Sequence, residues 1–197
     1  MGEGLPSAVA ENSAGKTARA GGWGYIYGDE GGGFDLTRQA LRAALRYEEG
    51  WGKATVLREK LLKAAGARDA NHLLHLFYTA EFPRPRIAAL SALVEEAAGQ
   101  GDAVAGQILR DAASHLRSFA EAVRGQLFAF GETVPVAPIG GVFRGERLAS
   151  LFRESVESHA AGRVLPAIYS PAAGALLEAY RAAGIDVALS GVPKPEK

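Results

Sequence analysis

The sequence contains no cysteine. This excludes disulfides, thiolate zinc sites, iron–sulfur clusters and a cysteine nucleophile. The chain also lacks net charge, since 22 Lys and Arg balance 22 Asp and Glu, so nothing marks it for nucleic acid or an anionic membrane. No apolar run approaches the ~18 residues that cross a bilayer, and Met1–Ala20 lacks the features of a signal peptide. We therefore expect a soluble, cytoplasmic protein.

The 197 residues fit one large domain, which we place at residues 1–190. The last residues, 191–197, contain two prolines and are expected to be a frayed tail. The first 33 residues are rich in glycine, whereas helical periodicity begins after them. No internal repeat of useful length divides the chain, so a single lobe is the simplest organisation.

The local patterns predict an α/β domain that is mostly helical, with a small mixed sheet. Ser7–Glu11 and Lys16–Ala20 flank a turn-forming segment and predict a β-hairpin. Apolar spacing predicts seven helices: from a cap at Asp35 to about Gly50, around Val56–Gly66, Asp69–Tyr78, one opened by Pro83 and Pro85 and continuing to Val94, from a cap at Asp102 to about Arg124, Glu146–Ser158, and Ala172–Ala183. Two short strands are predicted at Val134–Ile139 and Leu165–Ile168.

The densest chemical signal is the segment Gly21–Gly33, which has seven glycines in thirteen positions. Such a density indicates positive φ angles or close backbone approach. The segment also holds Trp23 and the adjacent carboxylates Asp29 and Glu30. A sugar site needs an aromatic wall and a carboxylate that accepts hydrogen bonds from hydroxyls. A flexible linker is the alternative, but linkers seldom contain a tryptophan and two tyrosines.

A second signal is Gly140-Gly141-Val142-Phe143, which lies between a β-type run and a predicted helix. Backbone N–H groups at such a helix start can face a nucleotide. Taken alone, a glycine pair in a strand-to-helix turn more often serves packing. The signal gains weight only in combination with the Gly-rich segment.

Together these motifs resemble the second lobe of BadF/BadG/BcrA/BcrD-type ATPases, which include N-acetylglucosamine kinases and belong to the actin/hexokinase/Hsp70 superfamily. The resemblance runs from about Ser7 to Gly184. It rests on Thr17–Gly24, Gly28–Gly31, Gly140–Phe143 and Tyr169–Ala175. It implies a ribonuclease H-like, actin-like ATPase lobe of an enzyme that transfers the γ-phosphoryl group of Mg²⁺-bound ATP to an amino sugar.

The resemblance also implies site residues. Four residues would form part of the amino-sugar site, with the carboxylate binding the hydroxyls: Gly22, Trp23, Gly24 and Asp29. Three would lie against the adenosine, the last from the other side and early in the helix opened by Pro85: Gly141, Gly145 and Ala89. A dehydratase-activating ATPase of the same family would need an iron–sulfur cluster bound by cysteine, which this sequence cannot supply.

Two departures from the family pattern bear on activity. The first lobe's phosphate loop and its carboxylate base cannot be located. The second phosphate loop is replaced by Gly2-Glu3-Gly4-Leu5-Pro6-Ser7, in which Glu3 would repel a polyphosphate. Since phosphoryl transfer depends on positioning and charge stabilisation, we expect the chain alone to be inactive as a kinase. A non-catalytic binding or assembly module derived from a truncated ATPase is the alternative.

In the superfamily, the strand before this loop is central to the lobe's sheet. We expect its loss to leave Ser7–Glu11 with an unpaired edge, so that the chain self-associates or binds a separate first lobe. The remaining candidates are predicted to be structural. His72 and His75 share a helix face but have no third ligand nearby, and Glu48-Glu49 and Glu95-Glu96 are expected to be solvated.

Overall fold

The computed structural model describes residues 6–79, 82–159, 162–187 and 190. Residues 2–5 of the predicted replacement segment Gly2–Ser7 lie outside these residues, as does the predicted tail 191–197. The elements are β1 (Ser7–Glu11), β2 (Thr17–Gly21), α1 (Gly33–Glu48), α2 (Leu57–Ala65), α3 (Ala70–Tyr78), α4 (Arg84–Ala89), α5 (Ala92–Gly99), α6 (Ala103–Leu127), β3 (Val134–Val136), a 3₁₀ turn (Gly141–Arg144), α7 (Glu146–His159), β4 (Gly162–Val164) and α8 (Pro171–Ala182).

The hairpin predicted from the N-terminal pattern is confirmed. β1 and β2 pair antiparallel, with Ser7 opposite Gly21 and Glu11 opposite Thr17. Asn12 closes the turn, because its side-chain oxygen accepts the N–H groups of Ala14 at 3.1 Å and Lys16 at 3.0 Å. The half-buried face of the hairpin packs on α6.

The second pair of strands departs from the prediction. β3 covers only Val134–Val136, and its parallel partner is Gly162–Val164 instead of Leu165–Ile168. The shift follows from packing, since a Cβ at Gly162 would lie 2.5 Å from Cγ1 of Val156 in α7. Only glycine lets this strand approach the helix, and Ile168 is left exposed. Within the described ranges the strands form two separate two-stranded sheets, not one mixed sheet.

The helix predicted from Pro83 to Val94 is divided into α4 and α5. The Thr37 hydroxyl donates a 2.9 Å hydrogen bond to the carbonyl oxygen of Ile87. In a continuous helix that oxygen would accept the N–H of Ser91. Instead, Ser91 donates to Ala88, and the helix ends at this point. The chain passes from α4 to α5 through a tighter turn, in which the Leu90 N–H also donates to the Ile87 carbonyl at 3.0 Å.

The core lies around α6, which is 25 residues long. Its buried face packs with apolar residues of α1, α2, α5 and α7, among them Leu36, Ala40, Leu57, Leu61, Val94, Leu148 and Val156. The predicted cap at Asp102 is confirmed, since its side chain accepts two backbone N–H groups of α6. Asp69, predicted as the first residue of a helix, is the N-cap of α3 and accepts the His72 N–H. The cap predicted at Asp35 is wrong, because Gly32 is the N-cap of α1.

None of the described helices combines the length and the apolar character that crossing a bilayer requires.

Candidate functional site

The Gly-rich segment forms a loop between β2 and α1 that only glycine could follow at several points. Gly21, Gly22, Gly24 and Gly31 have φ angles between +74° and +82°, a region that L-residues rarely occupy. The loop starts from a fixed point, because the N–H of Gly22 donates to the Pro6 carbonyl at 2.8 Å. The predicted positive φ angles are therefore confirmed.

Two aromatic side chains of this loop project into solvent. Trp23 is 79% exposed and Tyr27 is 85% exposed. Tyr25 differs from both, because its ring packs edge-on against Phe34 at 5.3 Å and lies under the Arg84 guanidinium at 4.7 Å. Tyr25 thus anchors the loop to α1 and α4, whereas Trp23 offers an accessible flat surface beside Gly22 and Gly24.

Asp29 combines burial with an unusual backbone. Its exposed fraction is 7%, and its φ of +62° makes it the one non-glycine residue with positive φ in the described part of the chain. Asp and Asn enter this conformation more readily than other L-residues, yet it remains strained. The loop maintains it partly through a hydrogen bond from the Gly32 N–H to the Asp29 carbonyl at 3.0 Å. Strain of this kind concentrates at functional sites.

An Asp35–Arg38 pair clamps the loop at both ends. One oxygen of Asp35 accepts the Gly31 N–H at 3.1 Å, and the other accepts Arg38 Nη2 at 2.6 Å. Arg38 Nη1 donates to the Tyr25 carbonyl at 3.2 Å. Residues 25 and 31 are thus fixed to the first turns of α1. Sequence reasoning missed Arg38 and took Asp35 for a cap, although the i, i+3 spacing of an acid and a base was visible.

The second predicted segment presents open backbone. Gly140 has φ +129°, and a Cβ placed on Gly140 or Gly141 would meet no atom within 4 Å. A planar or phosphorylated ligand could therefore approach this backbone closely. Gly141 begins the 3₁₀ turn that precedes α7.

Gly145 has a different reason to be glycine. A Cβ there would lie 2.7 Å from Oε2 of Glu95. Glu95 reaches from α5 to the start of α7, where Oε1 accepts the Arg147 N–H at 2.6 Å and Oε2 accepts the Leu148 N–H at 3.4 Å. The expectation of a solvated Glu95 is therefore wrong, because it caps α7. Its neighbour Glu96 lies at the surface, paired with Lys60 at 2.7 Å.

The resemblance predicts that Ala89 lies early in its helix, but the structure places it elsewhere. The helix is divided, and Ala89 is the exposed last residue of α4. The residue that reaches the Gly140–Gly145 segment is Glu95 of the following helix, α5, which contacts Gly145. The structure thus places Glu95 next to residues 145–148, whereas Trp23 and Asp29 belong to the separate Gly-rich loop.

The described residues contain no group of three His, Asp or Glu side chains that could hold a metal ion. The ring nitrogen Nδ1 of His72 accepts the Arg68 N–H at 3.2 Å, which is a structural use. The described residues therefore provide no carboxylate cluster to which a Mg²⁺ ion can be assigned.

Comparison with known proteins identifies related sequences. The BadF/BadG/BcrA/BcrD ATPase family model matches residues 4–179. The N-acetylmuramic acid/N-acetylglucosamine kinase of Clostridium acetobutylicum is 34% identical over 131 residues, which are 66% of this chain and 43% of that protein. The N-acetyl-D-glucosamine kinase of Dictyostelium discoideum is 29% identical over 170 residues, which are 84% of this chain and 53% of that protein.

A solved structure supports the same fold. It is a Chromobacterium violaceum protein provisionally named as an N-acetylglucosamine kinase, with a TM-score of 0.68 and 27% identity over 86% of this chain and 54% of that one. The match confirms the predicted actin-like ATPase fold class. The chain spans about half the length of the curated relatives that it matches.

Proposed function

Because the chain belongs to the BadF/BadG/BcrA/BcrD ATPase family, we propose that it forms the second lobe of an ATP-dependent kinase for N-acetylglucosamine or a related amino sugar. The reaction moves the γ-phosphoryl group of ATP to a sugar hydroxyl. The proposed sugar-binding residues are Gly22, Trp23, Gly24 and Asp29. The proposed adenosine-binding residues are Gly141, Gly145 and Ala89.

The observation that carries this proposal is the buried, strained Asp29 in a loop clamped by Asp35 and Arg38. A carboxylate accepts strong hydrogen bonds from sugar hydroxyls, and the exposed ring of Trp23 can cover an apolar sugar face. Because the loop is already fixed, less conformational entropy is lost when the sugar binds. These properties favour a preformed sugar site over a linker.

The nucleotide half of the proposal rests on the open backbone at Gly140 and Gly141. Gly145 supports it less, since packing against Glu95 already requires glycine there. Mg²⁺ is commonly bound through the phosphates of the nucleotide and only one or two carboxylates. We therefore expect Mg²⁺ to be held by the nucleotide phosphates, and we name no described side chain as its ligand.

Binding measurements on single variants test the sugar site. Isothermal titration with N-acetylglucosamine should give an affinity that falls by more than tenfold in Asp29→Asn, because charge-assisted hydrogen bonds worth about 1.5–3 kcal/mol are lost. Asparagine tolerates the positive φ, so the backbone is retained. Trp23→Ala should weaken binding through loss of the wall.

Matched controls come from the same loop. Tyr27→Ala removes another exposed aromatic ring, and Glu30→Gln neutralises the adjacent carboxylate. Both should bind the sugar as the unsubstituted chain does. Equal binding by Asp29→Asn, Trp23→Ala and the unsubstituted chain would contradict the proposed sugar site.

A phosphorylation assay separates the kinase lobe from a non-catalytic binding module. We expect the chain alone to bind the sugar without forming sugar phosphate from ATP. Addition of a first lobe from a related kinase should restore turnover if this is a kinase lobe, and should leave it absent if this is only a binding module. Turnover by the chain alone would show that it carries a complete active site.

A further inference from the structure

A groove of about 760 Å³ lies between α1 and the first half of α6. The segment 51–53, which follows α1, forms part of its lining, whereas residues 21–33 and 140–145 do not. The volume is within the range of about 300–1,000 Å³ that is typical of small-molecule sites. The groove is therefore large enough for a ligand and is distinct from the sites proposed above.

The charged lining of this α1–α6 groove is mainly cationic. Four basic side chains belong to it: Arg42, Arg46, Lys53 and Arg110. All four are exposed, and in the part of the chain that the structure describes none of them forms an ion pair with a carboxylate. The groove thus carries positive charge that is available to an anionic ligand.

The two carboxylates in the lining already have other partners. Asp35 pairs with Arg38, which lies outside the lining, at 2.6 Å. Asp111 accepts a hydrogen bond from Gln107 Nε2 at 2.8 Å, and the oxygen of the same amide accepts Arg110 Nη2 at 2.8 Å. A neutral amide therefore orients the Arg110 guanidinium and leaves its charge uncompensated.

Trp51 provides a fixed aromatic surface in the same groove. Its backbone N–H donates to the Arg46 carbonyl at 3.1 Å, and its ring nitrogen donates to Glu49 Oε2 at 2.7 Å. The Arg46 guanidinium lies 4.8 Å from the ring centroid. A Cβ at Gly52 would lie 2.7 Å from the Arg46 backbone carbon, so glycine lets the segment pack closely on α1. Trp51 is nevertheless 65% exposed, which allows a second ring to stack on it.

We propose that the α1–α6 groove binds a small phosphorylated molecule, in which a phosphate group is attached to a sugar or base ring. The phosphate contacts Lys53 and Arg110, and the ring stacks on Trp51. An arginine side chain binds phosphate through paired N–H donors, and a lysine side chain adds a compact point charge. The proposal concerns a second site and does not depend on the function of the Gly-rich loop.

A phosphate suits this lining better than other chemical groups. An uncharged ligand would remove water from the cations without pairing them, which is unfavourable. A metal cation would be repelled by the same side chains. A carboxylate carries a single charge, whereas a phosphate monoester carries about −1.5 to −2 at neutral pH and matches several cations at once.

Isothermal titration of the full chain tests the proposal with two probes that share the phosphate and differ in the ring, glucose 6-phosphate and uridine monophosphate. At least one of them should bind, and the tighter of the two identifies the ring. Inorganic phosphate should bind about tenfold more weakly than that probe, because it has no ring to stack on Trp51.

Charge variants locate the phosphate. Lys53→Ala and Arg110→Ala should each weaken binding of the tighter probe about tenfold, because a charge-assisted hydrogen bond is lost. Lys63→Ala is the matched control, since this exposed lysine of α2 lies outside the groove, and its affinity should equal that of the unsubstituted chain. Asp111→Asn should bind the probe several-fold more tightly, because it removes a negative charge from the lining.

Fluorescence gives an independent report on the ring. The chain has two tryptophans, so Trp23→Phe leaves Trp51 as the sole tryptophan, and its emission should change when the probe binds. Three results would overturn the proposal: neither probe binds, Lys53→Ala and Arg110→Ala bind as the unsubstituted chain does, or Lys63→Ala loses as much affinity as they do. Equal affinity for inorganic phosphate and for the tighter probe would contradict stacking on Trp51.

Discussion

The Asp102 carboxylate accepts a 2.9 Å hydrogen bond from the Thr55 hydroxyl, 47 residues away in the sequence. The same oxygen accepts the Val56 N–H at 2.8 Å, while the other oxygen accepts the N–H groups of Val104 and Ala105. One side chain therefore fixes the starts of α2 and α6 relative to each other. Its contribution to stability should be larger than that of an ordinary helix cap.

We expect Asp102→Asn to reduce the free energy of unfolding by about 1–2 kcal/mol at neutral pH, because an amide nitrogen would face backbone donors. Burial raises the pKa of Asp102, but the hydrogen bonds from Ala105, Val56, Thr55 and Val104 outweigh it and lower the pKa below the ordinary value. A lowered pKa gives stability that is present above the unfolded-state pKa and is lost as pH falls through the folded-state pKa.

The difference between Asp102→Asn and the unsubstituted chain should accordingly shrink as the medium is acidified. Urea unfolding at a series of pH values measures it. Asp111→Asn is the control, since this exposed carboxylate accepts a hydrogen bond from Gln107 on its own helix. A stability difference independent of pH would contradict the role of the charge.

The adjacent residues Glu95 and Glu96 should respond differently to alanine. Glu95→Ala leaves two N–H groups at the start of α7 without their acceptor and should lower the free energy of unfolding by about 1 kcal/mol. Glu96→Ala removes a surface ion pair with Lys60 and should change stability little. Thermal unfolding of both variants measures the two effects. Equal losses of stability would show that the Glu95 cap contributes no more than the surface ion pair of Glu96.

Gly24 and Gly31 both have left-handed φ angles but differ in surroundings. Gly24→Ala meets open space and should cost about 1 kcal/mol from backbone strain alone. At Gly31 the new Cβ would also lie 2.7 Å from Leu116 Cγ and 3.0 Å from the Ala112 carbonyl oxygen. Gly31→Ala should therefore be the more destabilising variant in urea unfolding. The reverse order would mean that the loop can move away from α6.

Arg38→Ala should loosen the Gly-rich loop without unfolding the domain. The Tyr25 carbonyl and the Asp35 carboxylate lose their shared donor, so the loop becomes less ordered before the sugar binds. We expect several-fold weaker binding of N-acetylglucosamine and faster exchange of the Gly31 amide, with a nearly unchanged melting temperature. Arg42→Ala on the same helix is the control. A parallel loss of affinity in both variants would indicate a general charge effect.

The sequence predicted the features that depend on neighbouring residues. The hairpin follows from two short segments around a turn, and the cap at Asp102 follows from residue type and position. The Glu95 cap and the strand at Gly162 depend on contacts between distant segments, which periodicity does not reveal, and the apolar pattern carries no sign of the break between α4 and α5. At the site, the composition of the Gly-rich segment pointed to Trp23 and to the carboxylates Asp29 and Glu30, and the family resemblance selected Asp29. The clamp formed by Arg38 became visible only in the structure.

The packing of the hairpin on α6 has a consequence for the order of folding. The Asn12 side chain donates to the Leu127 carbonyl, 115 residues away in the sequence. The hairpin therefore docks on the end of a helix that is synthesised much later than the hairpin itself. An isolated two-stranded hairpin is marginally stable, and closing so long a loop carries an entropic cost. The Gly-rich loop should therefore reach its final shape late, after the helices have assembled. Substitutions in β1 and β2 should accelerate unfolding and leave the refolding rate nearly unchanged.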